Sequence, residues 1–132
     1  FMLGAWNFAT KNLCNNCLLK NSYGAIVQAL DSNIFVVKNN IISTPSAESC
    51  LINYVYKDVI IKCAIELNMT VYEDCEIKIQ DIETADEIFF VNNKYPVRWV
   101  QSYNDYRYYS KVSKQIANKL KDNFNSLNIE YL

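Results

Sequence analysis

"GAIVQALDSNIFVVKNNIISTP", residues 24–45, contains three short apolar runs separated by turn-forming residues. The runs AIVQ, NIFVVK and IIS are rich in β-branched and aromatic residues, which favour strands. Gly24 can adopt a positive φ before the first run, and Asn39–Asn40 fits a two-residue hairpin turn because asparagine tolerates the left-handed conformation. Thr44–Pro45 ends the third strand, since proline cannot donate a ladder hydrogen bond. We therefore predict a strand meander, preceded by a short strand in CLLK, residues 17–20.

Three segments outside the meander show the apolar spacing of amphipathic helices. The first runs from the start of the chain to Asn15–Asn16, and the second spans Leu51–Leu67. The third is C-terminal and repeats apolar residues every four positions: Val112, Ile116, Leu120 and Phe124.

Further strands lie between the second and third helices. TVYEDCEIKI, residues 70–79, alternates apolar and polar residues and predicts one half-buried strand. A helical turn started by Asp81 follows, then a buried strand in EIFFVN and another strand in VRWV. The order of elements predicts an α+β (mixed α/β) fold, a meander or mixed sheet packed with helices.

Length and charge limit the classes of function. The chain has 132 residues, 51% of them hydrophobic, which suits a single domain with one core. Its net charge of -1 gives no signal for nucleic acid or a membrane surface. No apolar run approaches the roughly 20 residues that a membrane-spanning helix needs. We therefore expect neither a nucleic-acid nor a membrane partner.

The cysteines and the absence of histidine limit the chemistry. Five cysteines scattered over periodic segments suggest reduced thiols in a cytoplasmic protein. Cys14 and Cys17 have C-x-x-C spacing but no second ligand pair, so we expect no metal site there. Because the chain contains no histidine, it cannot build a Ser-His-Asp or Cys-His arrangement by itself.

The order of short motifs resembles that in the C-terminal domain of the fold-type IV, pyridoxal 5'-phosphate (PLP)-dependent enzymes. These are the class IV aminotransferases, which include branched-chain and D-amino acid aminotransferases and aminodeoxychorismate lyase. The motifs are LLKNSYGAIVQALDSNIFVVKNNIISTP, CLINYVYKDVIIKCAIELNMTVYE, ETADEIFFVNN and PVRWV, in that order. The resemblance covers nearly the whole chain and implies PLP as the cofactor. It also implies a homodimer, with an amino acid or a chorismate-derived compound as substrate.

The same resemblance places the cofactor ring near the meander. Gln28 occupies the position at which the family has an acidic residue that pairs with the protonated pyridine nitrogen. A glutamine can hydrogen-bond the ring but brings no negative charge. Asp31, three residues on, is a candidate substitute for that charge. Asn33 matches a family asparagine, for which a role in shaping the loop is the alternative to cofactor binding.

Two further segments match the regions where the family binds the cofactor phosphate. The first is a helix entry whose backbone N–H groups and dipole hold the anion, which implies Tyr54 and Val55 as donors here. The second follows the EIFFV strand, where the resemblance implies Asn92 and Asn93 as cofactor contacts. Lys94 lies beside them and can offset phosphate charge or bind the substrate.

No lysine of this chain matches the family's Schiff-base lysine, so no catalytic residue is assigned here. The resemblance places that lysine upstream of Phe1, together with an N-terminal domain, so that residues 1–132 form a single C-terminal domain of a longer protein. The implied reactions are transamination of an amino acid and elimination from aminodeoxychorismate. The alternative is a catalytically degenerate member of the fold, a pseudoenzyme or interaction domain, because Gln28, Asn53, Tyr56 and Val91 all depart from the family pattern.

Overall fold

The computed structural model describes residues 17–50, 52, 54–94 and 96–125. Within them, the strands are β1 (Leu18–Lys20), β2 (Ile26–Ala29), β3 (Asn33–Lys38), β4 (Ile41–Ser43), β5 (Thr70–Tyr72), β6 (Glu87–Val91), β7 (Arg98–Trp99), β8 (Ser102–Tyr103) and β9 (Tyr106–Arg107). The α-helices are α1 (Val55–Glu66), α2 (Ile79–Thr84) and α3 (Lys111–Asn125), and a 3-10 turn spans Ala47–Ser49. The predicted first helix lies outside the described residues, as does Cys14 of the C-x-x-C pair.

A mixed five-stranded sheet forms the centre of the domain, with strand order β5-β4-β3-β6-β7. The β4–β5 pair is parallel, and the other pairs are antiparallel. A parallel pair needs a crossover connection, and α1 supplies it between β4 and β5. Strands β1 and β2 form a separate antiparallel hairpin, as do β8 and β9.

Both faces of the central sheet are covered, which explains the continuous apolar runs in β3 and β6. Phe35 and Phe89 point to the face that packs on α1 and α3, and their rings stack with centroids 4.9 Å apart. Ile34 and Ile88 point to the opposite face, which packs against β2 and α2. Successive strand residues point to opposite faces, so each of these strands contributes to both cores.

The predicted turns of the meander are confirmed. Gly24 has a φ of 82°, and Asn39 and Asn40 have φ values of 52° and 62°. Two successive positive φ values characterise the hairpin turn that matches the twist of its strands. β3 has the predicted bounds, and a two-residue turn pairs it with β4.

The predicted bounds of helix 51–67 and strand 70–79 are wrong. α1 begins at Val55, because Tyr54 is extended, with a φ of -74° and a ψ of 142°. β5 ends at Tyr72, and after it only an isolated bridge between Ile77 and Ile26 continues the pairing within the described residues. The alternation did predict burial, since Ile77 is buried.

The predicted start of the helical turn at Asp81 is also wrong. α2 begins at Ile79, and Asp81 occupies its third position. The carboxylate of Asp81 accepts a hydrogen bond from the Lys78 N–H at 2.8 Å, so it stabilises the helix start from inside the first turn. The C-terminal helix is confirmed, although Phe124, at its end, is 44% exposed.

Candidate functional site

Two buried side-chain amides hold the backbone that leads into α1. Gln28 in β2 and Asn33 at the start of β3 are 0% and 1% exposed. The Oε1 atom of Gln28 accepts a hydrogen bond from the Ile52 N–H at 3.1 Å. Asn33 donates from Nδ2 to the Ile52 carbonyl at 2.7 Å and accepts at Oδ1 from the Tyr54 N–H at 3.0 Å. We call Gln28, Asn33 and these three bonds the amide clamp.

The amide clamp determines which N–H groups remain at the start of α1. The Tyr54 N–H is used by Asn33, and the Lys57 N–H bonds the Tyr54 carbonyl at 3.0 Å. Val55 and Tyr56 are the first two helical residues, whose N–H groups have no acceptor within the helix. Together with the helix dipole, they make this end suited to an anion. The described geometry therefore offers Val55 and Tyr56 as the donor pair, one residue later than the pair implied by the sequence.

The loop after β6 is tied to the bend between β2 and β3. Asn92 is 7% exposed and donates from Nδ2 to the Ser32 Oγ at 3.1 Å and to the Asp31 carbonyl at 3.3 Å. Its Oδ1 accepts from the Lys94 N–H at 2.9 Å, which turns the loop. Asn93 and Lys94 are exposed. In this structure the Asn92 side chain therefore shapes the loop, whereas those of Asn93 and Lys94 are accessible from solvent.

The electrostatics of the site include one nearby carboxylate. Burial and the Asp31 charge together raise the pKa of the Tyr54 hydroxyl, with burial the larger cause. Asp31 is half-buried, and its Oδ1 accepts a hydrogen bond from the Ser32 hydroxyl at 3.0 Å. The Asp31 charge therefore acts on the Tyr54 hydroxyl, although Gln28 itself is neutral.

One site-adjacent residue was missed from the sequence. Lys57, in the first turn of α1, is 3% exposed, and its Nζ donates to the Pro45 carbonyl at 2.7 Å. This bond attaches the first turn of α1 to the segment that follows β4. The sequence does contain a signal for the burial of Lys57. Lys57 lies three, four and seven residues before Ile60, Ile61 and Ala64, so it shares the apolar face of the helix with them.

Residues 1–103 match the family model described as amino-transferase class IV. This chain belongs to the class IV aminotransferase family. A protein of Methanocaldococcus jannaschii, provisionally named a branched-chain-amino-acid aminotransferase, is 27% identical over 117 residues. That match covers 89% of this chain and 40% of the relative, so the chain spans well under half of the relative's length.

Solved structures share the class IV aminotransferase fold. An aminotransferase from Brucella abortus bound to PLP superposes with a TM-score of 0.87 at 23% identity, covering 95% of this chain and 45% of that one. A protein of Legionella pneumophila, provisionally named a 4-amino-4-deoxychorismate lyase, gives 0.78 at 23% identity, covering 94% and 45%. The α+β fold class and the family resemblance are thereby confirmed. No helix among the described residues is long and apolar enough to cross a membrane.

Proposed function

We propose that this chain forms the cofactor-phosphate side of a PLP-dependent class IV aminotransferase that transfers the amino group of an amino acid. The observation that carries the proposal is the start of α1, where the Val55 and Tyr56 N–H groups have no acceptor within the helix and the Tyr54 N–H is held by Asn33. Family membership supports the reaction class. The names of the curated relatives support a branched-chain amino acid as the first substrate to test.

The described residues fit the cofactor's phosphate well. A 12-residue helix whose first two N–H groups have no acceptor within the helix provides both hydrogen-bond donors and the positive end of a dipole. The Val55 side chain is 72% exposed, so this helix end is accessible. Asn93 and Lys94 are proposed to approach the cofactor and substrate from the loop after β6. Asn92 is proposed to contribute through the shape of that loop.

The ring nitrogen meets a neutral partner in this proposal. When bound, the cofactor acts as an electron sink for the electron pair released at the substrate's α-carbon. In this structure the Gln28 amide is 0% exposed and bonds the Ile52 N–H and the Ala29 carbonyl, so it would have to give up one of these bonds to reach the ring. It would then stabilise the protonated ring nitrogen less than a carboxylate would, because it carries no negative charge. Asp31 is the described carboxylate proposed to supply part of that charge, since its charge already acts on Tyr54.

The remaining parts of the enzyme are also proposals. We propose that the lysine that holds the cofactor, and the second wall of the cleft, come from sequence that precedes Phe1. The coverage of the relatives, 40% and 43% of their lengths, supports this arrangement. A homodimer in the cytoplasm is proposed from the family resemblance.

The test is an absorbance spectrum of the full-length protein purified with PLP, recorded before and after borohydride. A visible band that reduction removes is expected, followed by conversion of branched-chain amino acids to their oxo acids. Formation of pyruvate from aminodeoxychorismate would instead assign the elimination reaction. No band, with no spectral change when cofactor is added, would overturn the proposal and favour a degenerate member of the fold.

A further inference from the structure

We propose that Asn33 and Gln28 are positioning residues that set anion affinity at the start of α1 by fixing the backbone at Ile52 and at Tyr54. The inference rests on the proposed function for the identity of the anion, a phosphate group. It goes beyond that function by assigning the geometry of the donors to two side chains that do not themselves touch the anion.

Apolar packing holds this segment only weakly. The Ile52 side chain is 37% exposed, and that of Val55 is 72% exposed. By contrast, Gln28 and Asn33 lie in strands of the interior and are fully buried. The three bonds of the amide clamp therefore attach Ile52 and Tyr54 to the buried strands β2 and β3. They restrict the backbone motion of these two residues, which lie beside exposed side chains.

The position of Asn33 requires an amide. Its Nδ2 donates to one carbonyl and its Oδ1 accepts from an N–H two residues further on. A carboxylate could accept from Tyr54, but its second oxygen would face the Ile52 carbonyl across 2.7 Å, where two acceptors repel. Hydrophobic residues of similar size would leave both backbone groups without these partners.

The neutrality of the amide clamp also favours an anion. Gln28 accepts from the Ile52 N–H as a glutamate would, and its Nε2 donates to the Ala29 carbonyl at 3.2 Å. A buried carboxylate at position 33, which bonds Ile52 and Tyr54 directly, would place negative charge close to the positive end of α1 and oppose a bound anion. In this chain the neutral glutamine therefore helps to hold the phosphate side while it weakens the charge contact with the ring.

The first experiment measures anion binding by full-length Asn33→Asp without any catalytic turnover. Inorganic phosphate, PLP and dephosphorylated pyridoxal are titrated separately, and hydrogen exchange is followed at the Val55 and Tyr56 amides. We expect phosphate and PLP to bind about tenfold more weakly, pyridoxal to change much less, and exchange at both amides to accelerate. Asn118→Asp, on the exposed side of α3, is the matched control and should change none of these.

A second variant covers the case in which Asn33→Asp fails to fold. Gln28→Met keeps an unbranched chain of similar size but removes the acceptor for the Ile52 N–H, and it should weaken phosphate binding several-fold in the same direction. For Asn33→Asp, equal losses for PLP and pyridoxal would overturn the positioning role, and so would unchanged exchange at Val55 and Tyr56 in either variant. So would a wild-type protein that binds no phosphate. If wild-type protein binds phosphate in this way but never shows a reducible PLP band, the positioning role stands and the proposed function fails.

Discussion

The buried carboxylate of Glu87 is expected to be one of the strongest polar contributions to the stability of this domain. Glu87 is 3% exposed and caps α3 from a neighbouring strand. Its Oε2 accepts from the Val112 N–H at 2.8 Å, and its Oε1 accepts from the Ser113 N–H at 3.0 Å and the Ser113 hydroxyl at 2.9 Å. The carboxylate thereby satisfies N–H groups that have no acceptor within the helix, and its charge complements the helix dipole.

The magnitude follows from what each substitution removes. Glu87→Gln keeps one oxygen, but it turns an NH2 group towards an N–H donor and removes the charge. We expect it to lower the free energy of unfolding by about 2–3 kcal/mol. Glu87→Ala removes every acceptor and leaves buried donors, a loss of about 3–5 kcal/mol. Domains of this kind have total stabilities of about 5–15 kcal/mol, so either change is a large fraction.

Chemical denaturation and thermal unfolding of the full-length variants check this prediction. At about 4 °C per kcal/mol, Glu87→Gln should lower the Tm by roughly 10 °C. Glu73→Gln, in an exposed loop, makes the same chemical change and should leave the Tm unaltered. A double-mutant cycle with Ser113→Ala should give a coupling energy of at least about 0.5 kcal/mol. A Glu87→Gln protein within about 0.5 kcal/mol of wild type would refute the capping argument.

Three further predictions test other parts of the structure. Burial raises the pKa of the Tyr108 hydroxyl to about 12, and this hydroxyl donates to the Ile82 carbonyl at 2.7 Å. The folded state therefore retains this proton longer than the unfolded state does, so stability should fall between about pH 10 and pH 12 by an amount that Tyr108→Phe removes. Phe35→Ala breaks the stacked pair with Phe89 in the core and should cost about 3–5 kcal/mol in denaturant melts, whereas truncation of the exposed Tyr23 should cost almost nothing. Asn40→Gly should raise the unfolding free energy by up to about 1 kcal/mol, because Asn40 has a φ of 62°, and a decrease would contradict the turn assignment.

The sequence predicted the meander well because its turns and strands are determined by residues close together in the sequence. β3 is bounded by a polar bend and by the Asn39–Asn40 turn, and its β-branched residues allow little but extended backbone. The long strand predicted for residues 70–79 failed for a different reason. Alternation identifies which residues face inward, but a strand also needs a neighbour along its whole length. In residues 73–79 the structure has a Cys75 N–H bond to the Thr44 carbonyl and an isolated Ile77–Ile26 bridge in place of a continuous ladder.

The location of the candidate site stays a prediction from motif order, and its hydrogen-bond donors can be identified only from the structure. Motif order directed attention to Gln28, Asn33 and the start of the second helix, and the structure brings these together. The identity of the available N–H groups depends on the Asn33–Tyr54 bond, which joins residues 21 apart in sequence. Helical periodicity cannot reveal a contact at that separation. It also predicted a helix start at Leu51, whereas the helix begins at Val55.

Two neighbouring carboxylates of the ETADEIFFVNN segment, Asp86 and Glu87, have structural roles. Glu87 turns to α3, whereas Asp86 accepts from the Asn39 N–H at 2.8 Å and lies 3.5 Å from the Lys38 ammonium group, so it closes the β3–β4 turn. The two carboxylates bond different elements and so do not form an acid–base pair, but together they join the start of β6 to α3 and to the β3–β4 turn. Gln28 differs because a neutral amide preserves the hydrogen bond to Ile52 while the charge expected from the family is lost. Substitution at that position therefore separates two roles that a carboxylate combines, and Gln28→Glu should strengthen the ring contact while it keeps the hydrogen bond from the Ile52 N–H.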